Sequence, residues 1–211
     1  MDEENAKASQ IRFGRPKRIP KYQKTWRHVV DIYEVFDKRR TVRIFEKGAT
    51  EEQLRKIILA GSKAPSAGNR QSWEFIMVDD ANIIDQLGEV KYELNKKFSP
   101  GLGETQKDVE GRALNQKKWF QNSSVVAVCT RSGDFGTGWL AVENMSLAAA
   151  AEGLGSNIIT YWDEGKKEVE KILGLPGDYE LTCVLKFGVP GGEVTPPKRR
   201  PDFSWLHKNK F

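Results

Sequence analysis

Residues 64–78 read APSAGNRQSWEFIMV. Pro65, Ser66, Ala67, Gly68 and Asn69 come in succession, then Arg70, Gln71 and Ser72, and the chain passes at once into the apolar run EFIMV. An ordinary turn needs one or two such residues. A loop this dense in small residues, set between a helix and a strand, brings backbone amides close to a ligand. The helix before it is written in TEEQ, where Thr50 and Gln53 form a capping box, and in the stripe Leu54, Ile57, Ile58. It ends near Gly61.

Working outward, VVDIYEVFDKR predicts a first helix, with Val29, Ile32, Val35 and Phe36 at helical spacing. RTVRIF (40–45) reads as extended. Beyond EFIMV, polar helical stretches run to about Gln121 with a break at SPGLGE (99–104). SSVVAVCT, SNIITY and TCVLKFG are three further strands. Between them lie WLAVENMSLAAAAEGLG, a long helix whose Ala148–Ala151 run permits close neighbours, and the helix KKEVEKILGL. The tail PPKRRPDFSWLHKNKF starts irregular because of its prolines. Alternating helices and strands predict an α/β or α+β protein with a mixed central sheet of four or five strands flanked by helices.

The 211 residues fit one domain at 29–211, preceded by a basic arm at 1–28. Within that arm RFGRPKRIPKYQKTWR reads either as solvated chain or as a segment wrapping a partner subunit, and Ile19, Tyr22 and Trp26 favour the second. Net charge is +5, but the cations are dispersed among 29 acidic residues, which argues against nucleic acid as a partner. No apolar run approaches the roughly 20 residues of a membrane helix, so no membrane partner is expected. MDEENAKASQ has no apolar core, so a cytoplasmic location is expected. Cys129 and Cys183, each inside a strand-like run, read as buried free thiols rather than a disulfide or metal site.

The two histidines, His28 and His207, accompany no GxSxG or nucleophilic cysteine, and there is no HExxH, CxxC or Walker A. SGDFGTG (132–138) lacks the strand-then-helix setting of a dinucleotide fold and reads as a loop. Three polar clusters remain: KRRTVR (38–43), the opening loop, and PPKRRP (196–201). Extended alternation places Thr41 and Arg43 on one face. Singly, each basic run is a solvated face; together, two arginine-rich segments suit a phosphate dianion.

RRTVRIF, APSAGNRQSWEFIMV, NMSLAAAAEGLGS, ILGLPGDYELTCVLKFGVP and the terminal PPKRRP, in this order from about residue 30 to 205, resemble the nitroreductase family. One departure is Ser72, where the family commonly has proline, and it implies a less rigid loop exit. The resemblance implies an α+β fold, a nitroreductase-like α/β sandwich, in an intertwined homodimer with FMN at the interface. Pro65, Ser66, Ala67 and Asn69 would lie against the flavin ring held mainly by the other subunit, while Gln71 and Trp73 anchor the loop. Arg39 would hold the phosphate with Arg40 and Thr41 beside it, completed by Arg199 or Lys198. Arg43 would face the pyrimidine edge, which gains negative charge on reduction. Asn115 would hydrogen-bond the ring and Thr160 touch its edge; as residues alone they are equally a helix surface position and a strand end.

The implied chemistry is ping-pong hydride transfer from NADH or NADPH to a small-molecule electron acceptor such as a nitroaromatic or quinone, with no catalytic side chain and no metal. The segment from Lys91 to Lys118 would cover the pocket, Tyr92, Phe98, Lys117 and Lys118 admitting a flat, anionic or nitro-bearing molecule. Relatives with the same motifs dehalogenate aromatic rings or fragment the flavin, and a non-catalytic flavin-binding or redox-sensing protein would carry them too.

Overall fold

A computed structural model describes residues 31–211. The arm at 1–28 and its partner-wrapping segment lie outside the described residues.

Helix α1 (Ile32–Lys38) begins where Asp31 accepts from the Tyr33 amide. Strand β1 (Phe45–Gly48) is followed by α2 (Glu51–Gly61), closed by the expected box in which Thr50 and Gln53 cap each other. Then come β2 (Trp73–Val78), α3 (Ala81–Asn95) capped by Asp80, and α4 (Gln106–Lys118) with a second box, Thr105–Asp108. Strand β3 (Ser124–Arg131), α5 (Phe135–Ala151), β4 (Gly155–Ile159), α6 (Asp163–Ile172) and β5 (Tyr179–Pro190) complete the chain, and the tail is irregular.

Strand β5 is the hub of the sheet. It pairs with β3 along Tyr179–Phe187, with β4 along Val184–Gly188 and with β1 at Gly188–Pro190, while β2 pairs only with β3. All these pairings are antiparallel; the parallel component of the expected mixed sheet is confined to one bridge, Thr41–Ser156. Alternation along the strands sends Val126, Val128, Cys183, Leu185 and Phe187 to one face, where α2 and α5 cover them with Leu54, Ile57, Val142, Met145 and Ala149. Val125, Ala127, Cys129, Val184 and Leu181 face the other way, beneath Leu87 of α3 and Val169 of α6. Helices on both faces of an antiparallel sheet make the α+β sandwich. Both cysteines are buried free thiols.

Helix α5 lies very close to its neighbours. A Cβ on Gly138 would collide with Thr182 and Thr130 of the sheet, and one on Gly61 would meet Met145 Cγ at 2.7 Å. The expectation that SGDFGTG is a loop is corrected: from Phe135 it is the first turn of α5. Nor is α5 buried on all sides in one chain, since Phe135 and Leu140 remain exposed.

Candidate functional site

The KRRTVR segment leaves α1 through Arg39, whose amide still donates to the Val35 carbonyl at 2.8 Å. The backbone then turns extended. Arg40 Nη1 donates to the Arg39 carbonyl, and the Val42 amide donates to Ser156 at 2.9 Å, pinning the segment to the start of β4. Val42 is buried against Gly155, where no Cβ could fit. Thr41 and Arg43 therefore point together to the outside, as the alternation predicts.

They open onto a cleft of about 320 Å³ bounded by Thr41–Ile44 on one side and Gly191–Thr195 on the other. The Gly191 amide donates to the Ile44 carbonyl at 2.9 Å and closes one end. Lys198, Arg199 and Arg200 follow directly from that second wall and are exposed. None of Lys198, Arg199 and Arg200 lines the cleft; of the two basic segments, Thr41 and Arg43 do.

The opening loop is a moored backbone rather than a slack one. Ala64 and Trp73, at its two ends, pack on Ala141 of α5. Inside it, Ala67–Asn69 form a 3₁₀ turn, and Gly68, Asn69 and Gln71 all have left-handed φ near +50 to +60°. Two of these are not glycine, a strained arrangement that surrounding bonds must hold. The Gln71 amide donates to Ser66 Oγ at 3.0 Å and the Gln71 side chain to Asn69 Oδ1 at 3.1 Å. Pro65, Ala67 and Asn69 are exposed and Ser66 is half-buried, so the tip of the loop faces solvent. None of them lines the Arg43 cleft of the same chain.

The expected slackness at Ser72 is overturned. Ser72 is buried, and its hydroxyl donates to Asp134 Oδ2 at the head of α5. Asp134 also accepts from Thr137 Oγ1 at 2.8 Å, and Arg70 lies 3.6 Å away. The Ser72 and Thr137 hydrogen bonds hold the Asp134 carboxyl below its usual range.

Asn115 is exposed on the last turn of α4. Thr160 is exposed just beyond β4, and its carbonyl accepts from Lys91 Nζ at 2.8 Å. Lys91 is buried, sits 4.3 Å from the Trp162 ring centroid, and is pushed down to about 8 by burial. The segment 91–118 is largely helical. Tyr92 is bonded to Glu110 and Lys117 to Glu89, while Phe98 lies tilted against Trp162 beside a cavity of about 630 Å³ whose charged lining is Glu89, Glu93, Asp163, Glu164 and Glu168 with the single cation Lys97. So acidic a lining does not suit the anionic molecule expected of this segment.

Sequence reasoning missed Lys91, Lys186 and the Ser72–Asp134 contact. Lys186 alone left a trace, as a cation inside the apolar run TCVLKFG. It is fully buried, donating to the Trp119 carbonyl at 2.6 Å between the rings of Phe45 and Phe120. Burial, then repulsion by Arg43, pushes it down to about 7.

Residues 37–189 match the family model described as Nitroreductase family. The chain belongs to the nitroreductase family. Among nitroreductase-family relatives, an iodotyrosine deiodinase of Thermotoga neapolitana is 28% identical over 75% of this chain and 88% of its own. An NADH dehydrogenase of Thermus thermophilus is 25% identical over 82% of this chain and 93% of its own. A crystal structure of oxidized iodotyrosine deiodinase bound to FMN and 3-iodo-L-tyrosine superposes with a TM-score of 0.69 at 25% identity, covering 86% of this chain and 100% of that one.

Proposed function

We propose that this nitroreductase-family protein is an FMN-dependent oxidoreductase that passes electrons from NADH or NADPH to an electron-poor small molecule, a nitroaromatic or a quinone. The observation that supports this reading is the cleft between Thr41–Ile44 and Gly191–Thr195, with Arg39 and Arg40 just before the first wall in sequence and Lys198–Arg200 just after the second. The donor set fits a ring-bearing monophosphate. Arg39, Arg40 and Thr41, with Arg199 or Lys198, supply charge-assisted donors for one phosphate. Arg43, on the same face as Thr41, supplies a cation where a bound ring gains charge. No adenine-binding motif accompanies them, which favours FMN over FAD.

FMN, when bound, supplies the two-electron chemistry that the side chains lack. The chain binds and orients it. Pro65, Ser66, Ala67 and Asn69, on a loop fixed by Ser72 and Asp134, would present backbone and small side chains to the ring from the partner subunit, with Asn115 and Thr160 at its edges. The FMN-bound structure named above supports the flavin itself.

A second reading, reductive removal of halogen from an aromatic ring, is favoured by the likeness to the deiodinases. One experiment separates them. Purified protein is acid-treated and its flavin identified, then the intact protein is reduced anaerobically with NADH or NADPH and offered a nitroaromatic, a quinone or a halotyrosine. FMN release and reoxidation by the nitroaromatic or quinone support the first reading. Halide release only supports the second, and recovery of FAD or no flavin overturns both.

A further inference from the structure

We propose that the cavity between α3 and α6 is a binding site for a flat organic cation, an aromatic ring carrying a fixed positive charge. This goes beyond the flavin reading and does not depend on it, since the cavity of about 630 Å³ shares no lining residue with the Arg43 cleft. Its volume is that of an ordinary small-molecule site. Val90 and Leu94 of α3 give it apolar surface. Phe98 and Trp162, with ring centroids 5.5 Å apart and planes tilted by 31°, give it aromatic surface. The frame is fixed by close contacts. Gly165 of α6 packs so tightly on α3 that a Cβ there would lie 2.6 Å from Leu94 Cδ1, and Tyr161 Oη donates to the Leu87 carbonyl at 3.0 Å.

The charges on the two walls are arranged against the interest of the fold. Glu89 and Glu93 stand one turn apart on α3, Glu164 and Glu168 one turn apart on α6, and all four line the cavity with Asp163. Like charges at this spacing destabilise a helix, and here two such rows border one space. Lys117, Lys96 and Lys167 pair with Glu89, Glu93 and Glu164, yet none of these lysines lines the cavity. Asp163 lies in the first turn of α6, whose N-cap Trp162 supplies no side-chain bond, and so offsets the positive end of that helix. Glu168 stands beyond that turn, and the ion pairs of α6 among the described residues use Glu164 and Glu170 instead. Lys97 is the one opposing charge in the lining.

An anionic ring would meet these carboxylates, and a neutral one would use only the apolar and aromatic surface. A flat cation uses both. The Trp162 ring already accepts a positive charge in this fold, with Lys91 Nζ 4.3 Å from its centroid. A metal ion is the poorer match, because no group of three or more acidic, histidine or cysteine side chains among the described residues could hold one.

The test is equilibrium dialysis of the full-length protein, as purified, against three probes of one shape: 1-methylquinolinium, neutral 1-methylnaphthalene and anionic 1-naphthoate. The cation is expected to bind about tenfold or more tighter than the neutral ring, the anion not to bind, and the preference to shrink as salt rises. Glu93→Gln combined with Glu168→Gln is expected to lower affinity for the cation about tenfold and to leave the neutral ring unaffected. The same pair should leave the melting temperature unchanged or raise it, because both like-charge rows are relieved. Phe98→Leu, at a position 52% exposed and tolerant of change, should weaken the cation and the neutral ring alike. Equal binding of cation and neutral ring, or cation binding that survives the double substitution, overturns the proposal. A basic peptide or a second copy seated in the cavity would exclude all three probes, and that result overturns it as well.

Discussion

Lys91 Nζ lies 2.8 Å from the Thr160 carbonyl, joining α3 to the turn after β4, and the same ammonium rests on the Trp162 ring. The turn bearing a candidate ring contact is thus positioned by a buried cation sixty-nine residues away in the chain. Lys91→Met keeps the aliphatic stem and removes the bond. A charge-assisted bond contributes roughly 1.5–3 kcal/mol, so amide exchange at residues 161 and 162 is expected to quicken by about tenfold or more. Unchanged exchange there would mean that the turn holds itself.

Ser72→Ala is expected to loosen the opening loop without touching its tip. The substitution removes one of the bonds that Asp134 accepts, in a site where both side chains are buried. Thermal unfolding should move down by several degrees, and protection of the Gln71 amide should fall. Asp134 titrates below its usual range in the folded chain, so its contribution is present above the unfolded value and lost as pH falls through the folded one. Ser72→Ala should therefore also lessen acid sensitivity.

Arg39→Ala and Arg199→Ala are each expected to weaken FMN binding about tenfold or more, on roughly 1.5–3 kcal/mol per charged contact. Fluorescence titration of the stripped protein reads this directly. Full flavin occupancy in both variants would place the phosphate elsewhere.

Stability should peak on the alkaline side of neutrality. Lys186 and Lys91 titrate near 7 and 8 when folded against 10.5 ordinarily, so from those values up to 10.5 the unfolded chain binds more protons. Their destabilising effect is complete at low pH and fades as pH rises, by at most about 1.4 kcal/mol per pH unit for Lys186. The thiols act oppositely. Burial pushes Cys129 up to about 12 and Cys183 up as well, so their contribution is present below 9.0 and lost above it. Melting temperatures measured across pH are expected to climb from about 7 to about 9, level off while the two pairs oppose each other, and fall above about 10.5. Lys186→Met should flatten the climb.

A homodimer with two FMN sites is expected. Phe135 and Leu140 on α5, and Ile32, Tyr33 and Phe36 on α1, leave apolar surface that a second copy would cover. The loop tip, absent from the Arg43 cleft of its own chain, gives a second reason. Light scattering should give a dimer mass throughout a dilution series. A stable monomer retaining FMN would contradict the shared-site reading.

Much of this architecture was legible locally. TEEQ marks the cap of α2, and the short continuous apolar runs EFIMV and VVAVC mark β2 and β3, because those signals depend on near neighbours. The start of α5 was not, since Asp134 is taken up by Ser72 far away in sequence, leaving a glycine-rich stretch that looks like loop. Nor was the length of β5, whose first residues are held by pairing with β3 rather than by their own pattern. The shared face of Thr41 and Arg43 could be read from alternation, whereas the mooring of the loop and the burial of Lys186 depend on contacts that only the fold creates. Strand direction is likewise absent from local periodicity, which is why a mixed sheet was expected where nearly all pairing is antiparallel.

The position of β5 in the sheet bears on how the protein is made. A chain growing from the ribosome releases β1, β2, β3 and β4 from the exit tunnel before the strand that pairs with three of them. Pairing of β2 with β3 can form early; β1 and β4 have no β partner among the described strands until residues 184–190 emerge. Apolar edges of β3 and the inner face of α5 must wait uncovered during that interval, when aggregation competes with folding. Translation speed between β3 and β5, and chaperone access to those waiting edges, should therefore bear on yield.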